Sequence, residues 1–310
     1  MQLKPLTEKN ISEYKEFLDS EVKNKKYFFP GDPLQWARVN EKIFHWPCMA
    51  YLVSDNSEIC GFFIFNKVNK RLVSLPHASY SGTHLKSIRN NSEEYQLILK
   101  KLNDSLSPKP KGWHIRLRFP LEYFDSRKVA SWLNIDDTSS LWASLSSNLR
   151  RKIRKAERTG FSCKRGKGEL LDEFFRAYSL RMKQIGSFPL MKPYIEESIK
   201  NVENSIIFIM YKNDKIAGGA LLQGNGYFYE NTLIAVLSEY YKNYASDFLH
   251  WQMIAYTYSC NGGIYSFGRS TKDSPVHYFK SHWPTHNVQL YWSSDSPVNK
   301  SNLRYIHFPS

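Results

Sequence analysis

The chain has 310 residues, which suggests about two domains at roughly 150 residues each. Hydrophobic residues make up 42% and charged residues 23%, a globular composition that excludes wholesale disorder. The formal net charge of +14 favours an anionic partner, such as nucleic acid, a phosphorylated small molecule or an anionic membrane surface, without choosing among them.

The hydrophobic pattern predicts the same order of elements in each half of the chain: a helix, antiparallel strands, a helix and a strand. In the first half we expect helices within 8–26 and 92–106, and a strand at 113–119. In the second half we expect a helix over 138–160, strands at 204–212, 216–223 and 227–235, a helix over 246–260 and a strand at 264–267. This order is typical of an α+β fold and places a domain boundary near residue 137.

Two stretches look like copies of one hairpin, Tyr51–Phe65 and Phe208–Leu222. Each contains a β-rich run, a polar turn with Asp and Asn, and a second β-rich run. Tyr51 precedes Gly61 by ten residues, and Phe208 precedes Gly218 by ten. Unrelated hairpins can also look alike, but the matched spacing half a chain apart favours a duplicated domain.

The helix expected over 138–160 leads into the most basic stretch of the sequence. Residues 150–167 contain nine Lys and Arg side chains and one acidic residue, Glu157. An apolar seam would pack one face of this helix; it consists of Leu141, Leu145, Leu149, Ile153 and Ala156. A charge run is often a solvated face, yet like charges at i,i+3 and i,i+4 repel one another. The repulsion favours an anionic ligand: nucleic acid phosphates, a pyrophosphate or lipid headgroups.

The strand at 264–267 is expected to lead into a polar loop that starts with Gly268 and Arg269. Loops at strand ends are where scaffolds place chemistry. Lys280 follows, flanked by aromatic residues. Such a lysine can stabilise a developing oxyanion or lose its proton through desolvation. A solvent-exposed lysine is the alternative that the sequence leaves open.

Several common kinds of site are not indicated. His277, His282 and His286 are close in sequence, but Pro284 interrupts any helix there and no metal site is expected. The motifs G-x-S-x-G, G-x-x-x-x-G-K-[ST], G-x-G-x-x-G and C-x-x-C do not occur. With no apolar run of a secretory signal, we expect a cytoplasmic protein and leave peripheral contact with the inner membrane face open.

Four stretches carry a resemblance to a known family. Leu72–Gly82 is similar to S-L-P-x-x-x-Y-G-G, with Ser81 in place of a glycine. Leu145–Ala156 is similar to the helix N-x-R-R-x-I-R-K-A, and Phe267–Ser270 reads F-G-R-S. Phe279–Pro284 is similar to F-K-x-x-W-G, with Pro284 in place of the glycine. Over about residues 70–293, the chain thus resembles the Fem family of aminoacyl-tRNA-dependent transferases and the FemAB-related acyltransferases found with exopolysaccharide genes.

The resemblance implies two tandem GNAT-like (acyl-CoA N-acyltransferase-like) domains, each a mixed, mostly antiparallel sheet flanked by helices. The domains would be residues 1–137 and 138–290, the second opening with the basic helix 139–159. Residues 291–310 would be a tail that packs back. The implied activity is transfer of an acyl or aminoacyl group to an amine of an envelope precursor, either a peptidoglycan stem peptide or an aminosugar.

Roles for individual residues also follow from the resemblance. Lys280 would stabilise the tetrahedral intermediate, and Phe279 would line the acyl-donor channel. Arg181 lies near a family arginine that binds acceptor phosphate, and Tyr229 lies near an acceptor-binding tyrosine. The other donor- or acceptor-binding candidates are Arg150, Arg151, Arg154 and Arg269. The acceptor lysine of the first domain has no clear counterpart; the candidates are Lys42 and Arg38.

The sequence leaves the donor open between aminoacyl-tRNA and acyl-CoA, and no further cofactor is expected. The stretch 241–247 has no glycine to cradle a pyrophosphate, and Asp247 would oppose one, which weakens the acyl-CoA alternative. The basic helix fits the many phosphates of tRNA. A different class of function is a non-catalytic RNA- or polyanion-binding protein on a degenerate GNAT fold. A Lys280 far from any cleft would favour that alternative.

Overall fold

A computed structural model describes residues 1–80, 82–86 and 92–295 of the chain. The chain forms two compact units: unit 1 comprises Met1–Val129 and a segment that starts at Gln289, and unit 2 comprises Ala130–Val288. The expected boundary was near residue 137, whereas the units divide after Val129, inside a strand. Of the expected tail over 291–310, residues 296–310 lie outside the described residues, as does Ser81 of the first family-like segment.

Unit 1 contains short helices and a mixed sheet. Its elements in chain order are β1 (Gln2–Pro5), α1 (Ile11–Lys23), α2 (Pro33–Phe44), β2 (Cys48–Asp55), β3 (Glu58–Val68), β4 (Arg71–Val73), β5 (His84–Leu85), α3 (Ser92–Ser105), β6 (Trp113–Leu117) and β7 (Tyr123–Asn134), the last of which continues into unit 2. Strands β1 to β4 are successively antiparallel, and β4 then pairs with β6 in parallel. The connection from β4 to β6 includes α3, as a parallel crossover requires.

Unit 2 has the same plan. Its elements are α4 (Thr138–Ser144), α5 (Ser147–Arg158), β8 (Phe161–Gly166), α6 (Leu171–Gln184), α7 (Lys192–Asn201), β9 (Asn204–Lys212), β10 (Lys215–Gly224), β11 (Phe228–Val236), α8 (Ala245–Ser259), β12 (Ile264–Thr271), α9 (Pro275–Lys280) and β13 (His286–Ser294), with 3₁₀ turns at Gly168–Leu170 and Ser238–Asn243. Strands β8 to β11 are successively antiparallel, and β11 pairs with β12 in parallel across α8. Strand β13 ends in unit 1, where Tyr291–Ser294 pairs with β6. The expected α+β class, with mixed, mostly antiparallel pairing, is confirmed.

The two hairpins share their turn and their glycine. In the β2–β3 turn Asn56 and Ser57 have positive φ, and in the β9–β10 turn Asn213 and Asp214 do. Two successive left-handed residues give the turn whose twist matches that of a tight antiparallel hairpin. At Gly61 a Cβ atom would lie 2.4 Å from the carbonyl oxygen of His84, and at Gly218 it would lie 2.4 Å from that of Ala235. The glycine at the matched position of each hairpin therefore has one structural reason. In both hairpins a neighbouring strand lies so close to the glycine that a Cβ atom would not fit.

The single helix expected over 138–160 is two helices. Asp137 caps α4 by accepting a hydrogen bond from the Ser140 backbone N–H at 2.7 Å. Leu145 is extended, with ψ of 141°, and Ser146 caps α5 by accepting from the Leu149 N–H at 3.2 Å. The apolar seam still packs into the core of unit 2, because the break preserves the face on which Leu141, Leu145, Leu149, Ile153 and Ala156 lie.

The strand expected at 264–267 extends to Thr271, so the F-G-R-S segment lies within β12 and not in a loop. Helices α2, α6 and α7 were not predicted; α2 begins with the pair Asp32-Pro33, a side-chain cap followed by proline at the first helical position. No helix in the described part of the chain is both long and apolar enough to cross a bilayer.

Candidate active site

The parallel ladder between β11 and β12 ends before either strand does. Within the described residues it comprises three register pairs, the last being Glu230 with Ser266. Strand β11 continues to Val236 and β12 to Thr271. At Gly268 the backbone enters the left-handed region, with φ of 71°, and its N–H donates to the Ser266 hydroxyl at 3.1 Å. Beyond the last register pair that the described residues form, the backbone carbonyls of β12 are not paired with β11, so a side chain can donate hydrogen bonds to them.

The side chain of Lys280 donates hydrogen bonds to carbonyls at the end of this ladder. Lys280 is the last residue of α9, which begins at the cap Ser274 and has Pro275 at its first position. The Lys280 side chain is buried, with 5% of the residue exposed. Its Nζ donates to the Gly268 carbonyl at 2.8 Å and to the Arg269 carbonyl at 3.0 Å. The exposed lysine that the sequence left open is thus excluded.

Burial lowers the pKa of Lys280 to about 7, with the charge of Arg269 acting in the same direction and that of Glu230 opposing it. Near neutral pH the amine is therefore present in both forms. The charged form offers an ammonium group in surroundings that exclude water, where its interaction with an oxyanion is strongest.

A carboxylate, Glu230, accompanies this lysine. It is 2% exposed and accepts a hydrogen bond from the Ser266 hydroxyl at 2.9 Å. Sequence reasoning missed Glu230, although a lone acid in the apolar strand Phe228–Val236 was a usable signal. Because side chains alternate along a strand, Glu230 and its neighbour Tyr229 face opposite sides of the sheet.

Aromatic rings from α8, β12 and α9 pack against one another, and one of them, Phe279, directly precedes Lys280 in the sequence. The His250 ring lies 4.6 Å from that of Phe267 and 5.6 Å from that of Phe279, and Phe267 lies 5.5 Å from Trp283. The Nδ1 atom of His250 is hydrogen-bonded to the Tyr265 hydroxyl at 2.7 Å. Burial first, and then the charge of Lys280, lower the pKa of His250 to about 3. At physiological pH the His250 side chain is therefore neutral, and it lines the site as an uncharged ring.

Two buried polar atoms on these strands have no hydrogen-bond partner within the described residues: Asn231 Oδ1 on β11 and Ser270 Oγ on β12. An unsatisfied buried polar group costs about 1–3 kcal/mol. Such groups are uncommon in folded proteins and tend to have a functional reason. They directly follow Glu230 and Arg269 in sequence, and because side chains alternate along a strand, Asn231 faces the side of the sheet opposite to Glu230.

Three of the predicted arginines lie together on a second surface of unit 2. Helix α5 buries Leu149 and Ile153, and its other face borders an open depression of about 530 Å³. The depression is lined by Ser147, Arg150, Arg151, Arg154, Lys155 and Arg158. These lining residues include no acid, and we call this the α5 basic surface. The Arg154 guanidinium also lies over the Trp142 ring, 5.4 Å from its centre.

The remaining predicted residues are placed as follows. Arg269 is half-buried on β12; burial lowers its pKa, and Glu230 and Tyr194 act against that effect. Arg181 lies in the last turn of α6, with its guanidinium 5.0 Å from the centre of the Tyr241 ring. Tyr229 is buried in the core of unit 2, where burial followed by the charge of Cys260 raises its pKa. The structure thus brings Arg269, Phe279 and Lys280 together, but these contacts do not place Arg181 or Tyr229 with them.

Other expectations concern the start of α8 and unit 1. Asp247 is buried, and burial raises its pKa to about 6 while the charge of Lys152 opposes the rise. Lys42 and Arg38 are exposed on α2. Within the described residues, no three His, Cys, Asp or Glu side chains converge as a metal site would require.

Comparison with solved structures shows the same fold in several proteins. FemX has 15% sequence identity and a TM-score of 0.69, and the match covers 94% of this chain and 97% of FemX. A tandem GNAT protein from the clavulanic acid biosynthesis pathway has 9% identity and a TM-score of 0.58, over 96% and 99% of the two chains. L-PGS from Bacillus licheniformis has 11% identity and a TM-score of 0.58, over 94% of each chain.

No family model matches the sequence, and no curated protein matches it either. At these identities the structural matches establish the fold alone. The resemblance to the Fem and tandem GNAT proteins is therefore confirmed at the level of the fold, over nearly the whole chain.

Proposed function

We propose that the protein is an acyltransferase that moves an acyl or aminoacyl group from an activated donor to an amine. The observation that carries this proposal is the buried Lys280, held by two strand carbonyls where the β11–β12 ladder ends. An ammonium group fixed in a site that excludes water is the device that stabilises an oxyanion.

The chemistry can be written with its atoms balanced. The acceptor amine attacks the donor carbonyl carbon, a C–N bond forms, and the carbonyl electron pair moves to oxygen beside Lys280. The oxyanion then collapses and expels the leaving atom, the ribose oxygen of an aminoacyl-tRNA or the sulfur of an acyl-CoA. One proton leaves the amine and one joins the leaving group. Orientation of the two substrates supplies the remaining rate enhancement.

Burial of Lys280 also bears on the alternative, a polyanion-binding protein that has lost catalysis. Keeping a lysine in such surroundings lowers its pKa and costs folding free energy. A protein that only bound polyanions through the α5 basic surface would gain nothing from that cost. A solvent-exposed Lys280 would have favoured the non-catalytic alternative, and its burial removes that argument.

The α5 basic surface supports aminoacyl-tRNA as the donor. Four arginines and a lysine line one depression, and a phosphate backbone would neutralise several of them together. Acyl-CoA remains the alternative donor, because two cations lie near the N-terminus of α8, where a pyrophosphate would bind. Lys152 and Lys155 lie 5.9 and 5.4 Å from the ring centre of Tyr244, the residue that precedes α8. We propose an amine of an envelope precursor as acceptor, from the Fem resemblance. The same cations would permit peripheral contact with an anionic cytoplasmic leaflet.

The test uses the full chain with aminoacyl-tRNA and acetyl-CoA as donors, and with stem peptides and aminosugars as amines. We expect Lys280→Ala to lower turnover by about 10²-fold or more while donor binding is kept. Lys272→Ala, at an exposed lysine of the same stretch, is the matched control. Transfer at the wild-type rate by the Lys280 variant would remove that residue from the mechanism.

A further inference from the structure

Glu230 has no role in the reaction as written above, yet it lies where the site is built. Its place is fixed by the last register pair of the ladder, opposite Ser266, whose hydroxyl donates to Oε2 at 2.9 Å. The Ser266 hydroxyl in turn accepts from the Gly268 N–H at 3.1 Å. One short chain of hydrogen bonds therefore links the carboxylate to the residue whose carbonyl accepts from Lys280 Nζ.

The groups that act on Lys280 come from three elements packed around it. Glu230 on β11 favours its charged form, whereas Arg269 on β12 disfavours that form. His250 on α8 lies beside it and is neutral. From α7, Tyr194 acts on Arg269. Among these groups, the carboxylate is the one that offsets burial.

We propose that Glu230 is a positioning residue, whose buried carboxylate favours the ammonium form of Lys280 and, through Ser266 and Gly268, holds that side chain against the strand carbonyls. The consequence for catalysis rests on the proposed function. The charge relationship between Glu230 and Lys280 does not, because it is a property of the protein without substrate.

Burial and a neighbouring arginine both favour a neutral lysine, and a neutral amine is a poor partner for an oxyanion. An opposite charge within a few ångströms moves a pKa by about 1–3 units. Without Glu230, the pKa of Lys280 would be lower still. The Glu230 carboxylate already accepts a hydrogen bond from the Ser266 hydroxyl. This bond favours the charged carboxylate, so it fits a role as a fixed negative charge better than a role as the base that accepts a proton from the substrate.

The experiment titrates Lys280 directly in the substrate-free protein. Lysine labelled with ¹³C at the ε-carbon is followed by NMR against pH, and the Lys280 signal is identified by its loss in Lys280→Met. We expect Glu230→Gln to lower the midpoint of this titration by about 1–2 pH units. Glu239→Gln removes one exposed carboxylate of the same unit and is expected to leave the midpoint unchanged.

An unchanged Lys280 midpoint in folded Glu230→Gln would overturn the proposal. If that variant does not fold, the reciprocal measurement decides: the same coupling requires the carboxyl of Glu230 to titrate at higher pH in Lys280→Met. No change there would also overturn it.

The pH dependence of kcat distinguishes a positioning role of Glu230 from a role as the base that accepts a proton. A positioning carboxylate predicts that the high-pH limb of kcat moves to lower pH in Glu230→Gln, whereas a proton-accepting carboxylate predicts a lower kcat at every pH with the limb in place. The second result would contradict the proposal. A shifted NMR midpoint in a protein that transfers nothing would leave the charge relationship intact and reject the proposed function instead.

Discussion

At the scale of single residues, burial acts on two neighbouring basic groups with different results. The pKa of Lys280 falls to about 7 and that of His250 falls to about 3. Lys280 can therefore exist in both forms near neutral pH, whereas His250 stays neutral. The difference arises because Lys280 starts from a much higher ordinary value and has Glu230 nearby. The site thus contains one group that titrates in the working range and a second that does not.

We expect His250 to make the protein sensitive to acid. Its pKa is lower in the folded state than in the unfolded chain, so the unfolded chain binds the proton first as pH falls below about 6.5. This one group should remove about 1.4 kcal/mol of the free energy of unfolding per pH unit, between about 6.5 and about 3. Urea unfolding at several pH values measures it.

His250→Gln should reduce that slope, because Gln does not titrate. His282→Gln is the control, since His282 is exposed in the folded protein. Equal slopes in the wild-type protein and His250→Gln would show that His250 is not buried in neutral form.

At the scale of elements, local turn chemistry made the hairpins predictable. Asn56, Asn213 and Asp214 have positive φ in the turns, a conformation that Asn and Asp tolerate, and apolar runs flank both turns. The break between α4 and α5 was not predicted, because Leu145 and Ser146 continue the apolar seam at helical spacing and serine also occurs inside helices. Capping by Asp137 and Ser146 becomes visible only in the hydrogen bonds.

The paired glycines allow an element-scale prediction. A Cβ at Gly61 or Gly218 would lie 2.4 Å from a backbone carbonyl oxygen of the adjacent strand, so the strands would have to move apart. We expect Gly61→Ala and Gly218→Ala each to lower the free energy of unfolding by about 1–3 kcal/mol. At Gly168 a Cβ would have nothing within 4 Å, so Gly168→Ala is the control. Chemical denaturation compares the three, and equal stability would contradict the packing argument.

At the scale of the whole molecule, the net charge of +14 and the distribution of that charge contribute separately to the binding of polyanions. General attraction to polyanions follows from the total, whereas a donor site requires charges held together. The α5 basic surface is such a grouping. A variant with reversed charges on this surface can be compared with another that has the same total.

Reversal of Arg150, Arg151 and Arg154 to Glu changes the charge by six, to 14 − 6 = +8. We expect this variant to bind tRNA more weakly, with a smaller slope of log affinity against log salt concentration. The control reverses three exposed lysines of the same unit, Lys183, Lys215 and Lys242, and also has a charge of +8. Similar losses in both variants would show that the total charge, not the surface, attracts the RNA.

The sequence by itself determined the features that depend on neighbouring residues. These are the matched hairpins, the basic face with its apolar seam, the α+β order of elements and the motifs around Arg269 and Lys280. Each is local because turn geometry, helical spacing and charge density are set within a few residues of chain.

Only the tertiary structure decided which of those residues make a site. Glu230 and Lys280 are 50 residues apart in sequence, and their relationship depends on where the β11–β12 ladder ends. Burial turned a lysine that could have been exposed into one with a pKa of about 7, and it placed Tyr229 in the core. Burial and strand pairing are properties of the packed chain, so no local pattern contains them.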